Sequence, residues 1–137
     1  MNKENSRFKI AVADDDELFA RKIRQTVQKF WNTENPALKI YKRGTDLTDC
    51  LRQGVQYDIY FPDIEMPGIS GLKLAESILR ISAESCIVLI TFYERYVLQS
   101  IKTGVLYYIL KEEYDREPDK KLFYRKSSYK LKNFLFR

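Results

Sequence analysis

The feature that most constrains the fold of this chain is a set of short apolar runs separated by longer amphipathic stretches. Residues 8–13 read Phe8-Lys9-Ile10-Ala11-Val12-Ala13, and residues 86–90 are apolar without a break. A strand with one wet face alternates apolar and polar residues, whereas a strand apolar at successive positions must be covered on both faces, as in parallel sheets. Between these runs the period changes. From Glu17 onward, Leu18, Ile23, Val27 and Phe30 fall near helical spacing, with Asp16 placed to cap the first turn and Pro36 beyond the end. Residues 38–41 read as a second strand, residues 46–51 as a short helix capped by Thr45, and residues 58–61 as a third strand. The turn-rich segment 66–71 then leads into a helix carrying Leu72, Ala75, Ile78 and Leu79. After the strand at 86–90, a helix over 96–102 is closed by Gly104, a fifth strand follows over 105–110, and a last amphipathic helix runs over about 119–135. Strands alternating with helices imply right-handed βαβ units. The expected fold class is therefore α/β, a doubly wound five-stranded parallel sheet with five helices on its two faces. At 137 residues the chain is long enough for one core, expected over about 7–114 with the basic C-terminal helix appended.

Composition narrows the chemistry. The chain has no histidine, which removes histidine metal sites, Ser-His-Asp triads and Cys-His pairs. Cys50 and Cys86 lack metal-type spacing and are too few for a disulfide framework, so they read as core thiols in a reducing compartment. The apolar run at 8–13 is too short to span a bilayer and no leader-like segment opens the chain, so a cytoplasmic protein without membrane contact is expected. The net charge of +5 is concentrated at one end. Residues 1–114 hold 16 basic and 16 acidic residues, while residues 115–137 hold 8 and 3. The tail is expected to be a solvated face, with weak contact to DNA or an acidic partner as the alternative.

What remains is carboxylates, hydroxyls, lysine and a hard metal. In a doubly wound sheet ligands bind outside the carboxyl ends of the strands. Asp14, Asp15 and Asp16 follow the first strand, Asp63 the third, Thr91 the fourth and Lys111 the fifth. Clustered carboxylates repel one another unless a cation sits among them. Mg²⁺ suits such a site because it takes one or two carboxylates together with waters and a phosphate. Asp15 and Asp63 are the expected direct ligands, with Asp14 holding a coordinated water. A carboxylate can also attack phosphorus, and phosphoryl transfer needs chiefly alignment and neutralised charge. Lys111 and Thr91 would contribute to both.

With these residues in view, the stretch from Phe8 to Lys111 resembles the receiver domain of bacterial two-component response regulators. The segment Ala11-Val12-Ala13-Asp14-Asp15-Asp16-Glu17-Leu18 is similar to the family's first strand and acidic pair. The segment from Tyr57 through Asp63-Ile64-Glu65-Met66-Pro67-Gly68 to Gly71 is similar to its phosphoacceptor strand and loop. The resemblance implies a flavodoxin-like strand order 2-1-3-4-5, and a signalling domain rather than an enzyme in its own right. It implies Asp63 as phosphoacceptor, Asp14 and Asp15 as acidic pair, the Glu65 backbone carbonyl as a further metal ligand, and Thr91 and Lys111 as hydroxyl and amine. A sensor histidine kinase is the implied phosphoryl donor. Thr91 and Tyr108 match the family's switch pair, which remodels the face of the fourth helix, fifth strand and fifth helix. A homodimer is among the expected partners.

Asp63 to Gly68, with Thr91-Phe92-Tyr93-Glu94-Arg95-Tyr96, is most similar to receivers that precede LytTR-type DNA-binding domains. No such domain is recognisable in the sequence, so the expectation is a receiver cut from a longer transcription regulator or one acting alone. The chain departs from the family at three places. Phe92 stands where a small residue is usual and is expected to slow transfer. Glu112 replaces a proline after Lys111 and would aim that side chain less firmly. Pro62, without an N–H, is expected to end the third strand one residue early. Phe92 and Glu112 motivate an alternative, a degenerate receiver acting as a constitutive interaction module. A phosphatase with an aspartyl-phosphate intermediate is a third reading, weakened by the lack of a cap domain.

Overall fold

The computed structural model describes residues 9–31, 37–93, 95, 107–112 and 124–125. In chain order they form β1 (Lys9–Ala13), α1 (Glu17–Trp31), β2 (Ala37–Tyr41), α2 (Gly44–Arg52), β3 (Ile59–Pro62), α3 (Gly71–Ile81), β4 (Cys86–Thr91), β5 (Tyr107–Leu110) and β6 (Tyr124–Arg125). The sheet runs β2-β1-β3-β4-β5-β6. Its first five strands are parallel, in the expected order 2-1-3-4-5.

The apolar runs split by strict alternation onto two faces. Ile10, Val12, Ile59, Phe61, Cys86, Val88, Ile90 and Ile109 pack with Phe19, Ala20, Ile23 and Val27 of α1. Ala11, Ala13, Tyr60, Ile87 and Leu89 pack with Leu47 and Leu51 of α2 and with Leu74, Ala75 and Ile78 of α3. Both faces are dry, which is why these strands read as continuous apolar runs. Cys86 is buried on the α1 face, and Cys50 is half-buried; neither is in a disulfide.

The structure corrects four sequence expectations. Leu18 is 69% exposed, and Phe19 takes its place in the core. Ile23 lies five residues after Leu18, about 140° round the helix, but four after Phe19, only about 40° away. The second helix begins at Gly44, and Thr45 sits inside its first turn rather than capping it. Arg43 precedes the helix without a side-chain cap. β3 continues through Pro62, whose partner is Ala13. Asp63 N donates to Ala13 O and Ile64 N to Ile90 O, so by alternation the N–H that Pro62 lacks would have faced β4. The break falls there: β3 pairs with β4 at Ile59 and Tyr60, and pairing resumes only at Asp63 with Ile90. Finally, the helix expected over 119–135 is contradicted at Tyr124–Arg125, which pair antiparallel with Tyr108 and Tyr107. An extended pair there covers backbone groups that β5 would leave exposed at the edge. The rest of that segment, and the helix expected over 96–102, lie outside the described residues.

Gly71 opens α3 directly behind the end of β3. Its N–H donates to Ile64 O, Ser70 caps the helix by accepting from Lys73 N at 3.3 Å, and a Cβ at Gly71 would collide with the backbone of Asp63 and Ile64. At Gly44 the nearest obstacle is a methyl of the Ile69 side chain. Gly71→Ala is therefore expected to lower the unfolding free energy by about 1–3 kcal/mol in urea titration, against a smaller loss for Gly44→Ala, where a side chain can give way.

Candidate functional site

Strand register brings the chemistry to one rim. Asp14 follows β1 with its N–H bonded to Tyr41 O at 2.9 Å, and Asp63 follows β3 with its N–H bonded to Ala13 O at 2.8 Å. Both carboxylates sit two residues beyond α1-face positions, Val12 and Phe61, and Lys111 sits two beyond Ile109. The period of two therefore turns Asp14, Asp63 and Lys111 toward the same side of the sheet. Their side chains are almost wholly buried, and the Lys111 ammonium lies 3.1 Å from Asp14 Oδ2 and 3.2 Å from Asp63 Oδ2. Asp15 remains exposed, yet one oxygen from each of Asp14, Asp15 and Asp63 falls within 4.8 Å of the others. That oxygen set suits a hard divalent cation. Asp16 does something else: its Oδ1 accepts from Phe19 N at 3.2 Å as the N-cap of α1, and its own N–H donates to Asp14 Oδ1 at 2.9 Å.

Two aromatic rings flank the lysine. Its Nζ lies 4.9 Å from the Phe19 ring centroid and 5.0 Å from that of Phe92. Phe92 itself is half-exposed and stands at the outer edge of the site. Cation–π contacts and two carboxylates hold the Lys111 head group.

Thr91 belongs to the other face. Ile87 and Leu89 of the same strand point to the α2–α3 side, and alternation carries Thr91 there as well. Its hydroxyl, fully buried, donates to Glu65 Oε1 at 2.7 Å and accepts from Tyr93 N at 3.0 Å. Glu65 also reaches Asp63, its N–H donating to Oδ1 at 3.2 Å. Tyr108, on β5, is half-buried against the α2–α3 core. Sequence reasoning placed Asp14, Asp15, Asp63, Thr91 and Lys111 on this rim. It missed Phe19, the Glu65 side chain and the stacking of Phe92 on Lys111. The helical phase that buries Phe19 was the one available signal.

The charges do not balance. Burial raises the Asp63 carboxyl to about 8, the Asp14 carboxylate beside it adds to the rise, and Lys111 offsets only part. Asp14 is also raised by burial, against its hydrogen bond from Asp16 N and the pull of Lys111. Burial opposes the charge on Lys111, but Asp14 and Asp63 more than compensate and raise it. One cation faces two buried carboxylates, and the excess is met by a proton on Asp63 or by a second cation in the acidic cluster. A carboxylate so held, with cationic groups beside it, can act as an oxygen nucleophile toward an electrophilic phosphorus.

Comparison with known proteins points the same way. The profile of the response regulator receiver domain family matches residues 10–122. The chain is 28% identical over 109 residues, 78% of its length, to an uncharacterised response regulatory protein of Vibrio cholerae. It is 28% identical over 119 residues, 85% of its length, to an uncharacterised transcriptional regulatory protein of Bacillus subtilis. It spans only 40% and 52% of the lengths of those two proteins. Among solved structures, it is similar to the BeF3-activated DrrB receiver domain, with a TM-score of 0.71 and 22% identity, covering 96% of this chain and 99% of that one. It is also similar to the response regulator TrrA of Thermotoga maritima in complex with Mg²⁺ and BeF, with a TM-score of 0.61 and 28% identity, covering 82% and 95%.

A carboxyl raised on folding holds its proton more tightly in the native state, so its stabilising contribution is complete below the unfolded-state value and is lost as pH rises through the folded one. In chelator, wild type is expected to lose stability relative to Asp63→Asn between about pH 4 and pH 8, with the gap levelling off above that. Urea midpoints of both proteins across that range check it.

Proposed function

The chain belongs to the response regulator receiver domain family, and on that basis we propose that it accepts a phosphoryl group on Asp63 from a sensor histidine kinase. One observation carries the reading: the Lys111 ammonium bridges Asp14 and Asp63 at 3.1 and 3.2 Å, with Asp15 beside them. In the transfer, a phosphorus–nitrogen bond of the donor breaks and a bond from phosphorus to a carboxylate oxygen of Asp63 forms. Asp15 and Asp63, with the Glu65 carbonyl, would bind Mg²⁺, and Asp14 would hold a coordinated water. Bound Mg²⁺ supplies charge that neutralises the transferring group and takes the place of the proton on Asp63. Lys111 then neutralises an equatorial oxygen, and Thr91 donates to another. The complex of TrrA with Mg²⁺ and BeF supports the choice of ion.

Turning Thr91 toward the phosphoryl group vacates space near Tyr108, which rotates inward and changes the face around β5. This is a two-state element biased by a local charge. The readout proposed is transcriptional, which the transcriptional regulatory protein of Bacillus subtilis supports, and the compartment proposed is the cytoplasm. A LytTR-type output domain is the finer form of the proposal, supported by the wording Asp63-Ile64-Glu65-Met66-Pro67-Gly68.

One observation favours a second reading, a degenerate receiver that binds its partner without phosphorylation: the Phe92 ring lies 5.0 Å from the Lys111 ammonium, where it would narrow the approach to Asp63. Intact-mass spectrometry after incubation with a small acyl phosphate and Mg²⁺ separates the two. The receiver reading predicts one added phosphoryl group in wild type and none in Asp63→Asn. A wild-type mass unchanged with every donor would leave the interaction module standing.

A further inference from the structure

Thr91 has one hydroxyl proton to give. It goes to Glu65 Oε1 at 2.7 Å, with Tyr93 O at 3.4 Å as the longer alternative, while the oxygen accepts from Tyr93 N. A hydroxyl that donates to a carboxylate at this distance makes a charge-assisted bond, stronger than a neutral one. The acceptor is unusually placed. Glu65 stands two residues after Asp63, on the loop that carries β3 round to α3, and its N–H already donates to Asp63 Oδ1. Its other carboxylate oxygen, Oε2, is sealed from solvent and has no hydrogen-bond partner among the described residues. A buried oxygen without a donor is costly, so this side chain holds Thr91 in an arrangement that leaves half of itself unsatisfied.

We infer that Glu65 is a positioning residue for Thr91: its carboxylate holds the hydroxyl in the resting arrangement and competes with a phosphoryl group on Asp63 for the same proton. The inference rests on the reading of Asp63 as phosphoacceptor. The phosphorylated state then forms only by breaking the Thr91–Glu65 bond, and the strength of that bond sets how far the equilibrium lies toward rest. Because Glu65 is tied through its backbone to Asp63 and through its side chain to Thr91, one residue couples the site of modification to the element that reads it. The face parity of the strands sets the resting Thr91 hydroxyl apart from Asp63 and Lys111, and Glu65 holds it there. Asp63 and Lys111 lie on the α1 side, Thr91 on the other.

The test is beryllofluoride, a phosphoryl analogue, titrated with Mg²⁺ into the full 137-residue chain. Binding is followed on the backbone amide signal of Tyr93, the group that donates to the Thr91 hydroxyl. Glu65→Ala removes the acceptor and is expected to tighten binding by about tenfold. Its resting Tyr93 signal should also move toward the position seen in liganded wild type. Glu65→Gln removes the charge but keeps an acceptor, and should stay within about threefold of wild type. In a Thr91→Val background, Glu65→Ala should change nothing. Equal tightening by Glu65→Ala and Glu65→Gln would mean that Glu65 acts only by repelling the anion, and would overturn the proposal. So would an unchanged or weaker affinity of Glu65→Ala. If that variant does not fold, Glu65→Met, which fills a similar volume without an acceptor, takes its place with the same expectation. A wild-type chain that binds no beryllofluoride would instead overturn the phosphoacceptor reading itself, and the Glu65 inference with it.

Discussion

Three ionised or ionisable groups out of reach of water, Asp14, Asp63 and Lys111, set the terms for everything else in this molecule. Taking such groups out of water is unfavourable unless each finds its partner at close range, and two carboxylates sharing one ammonium remain unbalanced even then. The fold meets that requirement with register. β1 and β3 end level with one another, β5 runs two residues further, each delivers its charged residue at the same parity, and backbone hydrogen bonds to Tyr41 O and Ala13 O pin the two aspartates. Gly71 serves the same end, since the helix behind Asp63 can approach this closely only where no Cβ intervenes.

The imbalance is also what makes the site responsive. A cluster satisfied by its own ion pairs would have no use for a cation or a phosphoryl group. Here burial, and then the Asp14 carboxylate beside it, raise the Asp63 carboxyl to about 8, and the oxygens gathered from Asp14, Asp15 and Asp63 suit a divalent ion that would take the place of its proton. The buried charges and the Thr91 hydroxyl occupy opposite faces of one sheet. The carboxylates and lysine face α1, the Thr91 hydroxyl faces the α2–α3 side, and Glu65 crosses between them at the loop. Phe19 and Phe92 close the lysine between two rings, so that its head group is guided by aromatic faces as well as by charge.

Much of this was legible in the sequence, for identifiable reasons. Fully apolar strands such as 86–90 have no other stable use than a sheet covered on both sides, and strand ends are where such sheets bind ligands. The rim residues therefore followed from knowing where the strands stop. What stayed hidden depends on angles rather than on pattern. Leu18 and Phe19 are both apolar and adjacent, and only their phase relative to Ile23 decides which is buried. Pro62 signalled a break, but not that its missing N–H would cost pairing with β4 while leaving β1 paired. The Glu65 side chain looked like one more loop carboxylate, because its partner Thr91 is distant in sequence and meets it only once β4 is in place. The Tyr124–Arg125 pairing was masked by the amphipathic pattern of the tail.

The account turns on Lys111 neutralising two buried carboxylates, and the most direct measurement is the unfolding free energy of Lys111→Met above pH 8, with and without Mg²⁺. Removing one partner from a buried charge cluster is expected to cost about 3–5 kcal/mol. The account predicts a loss of that size in chelator, with saturating Mg²⁺ recovering a large part of it. A Lys111→Met protein as stable as wild type in chelator, and indifferent to Mg²⁺, would contradict it.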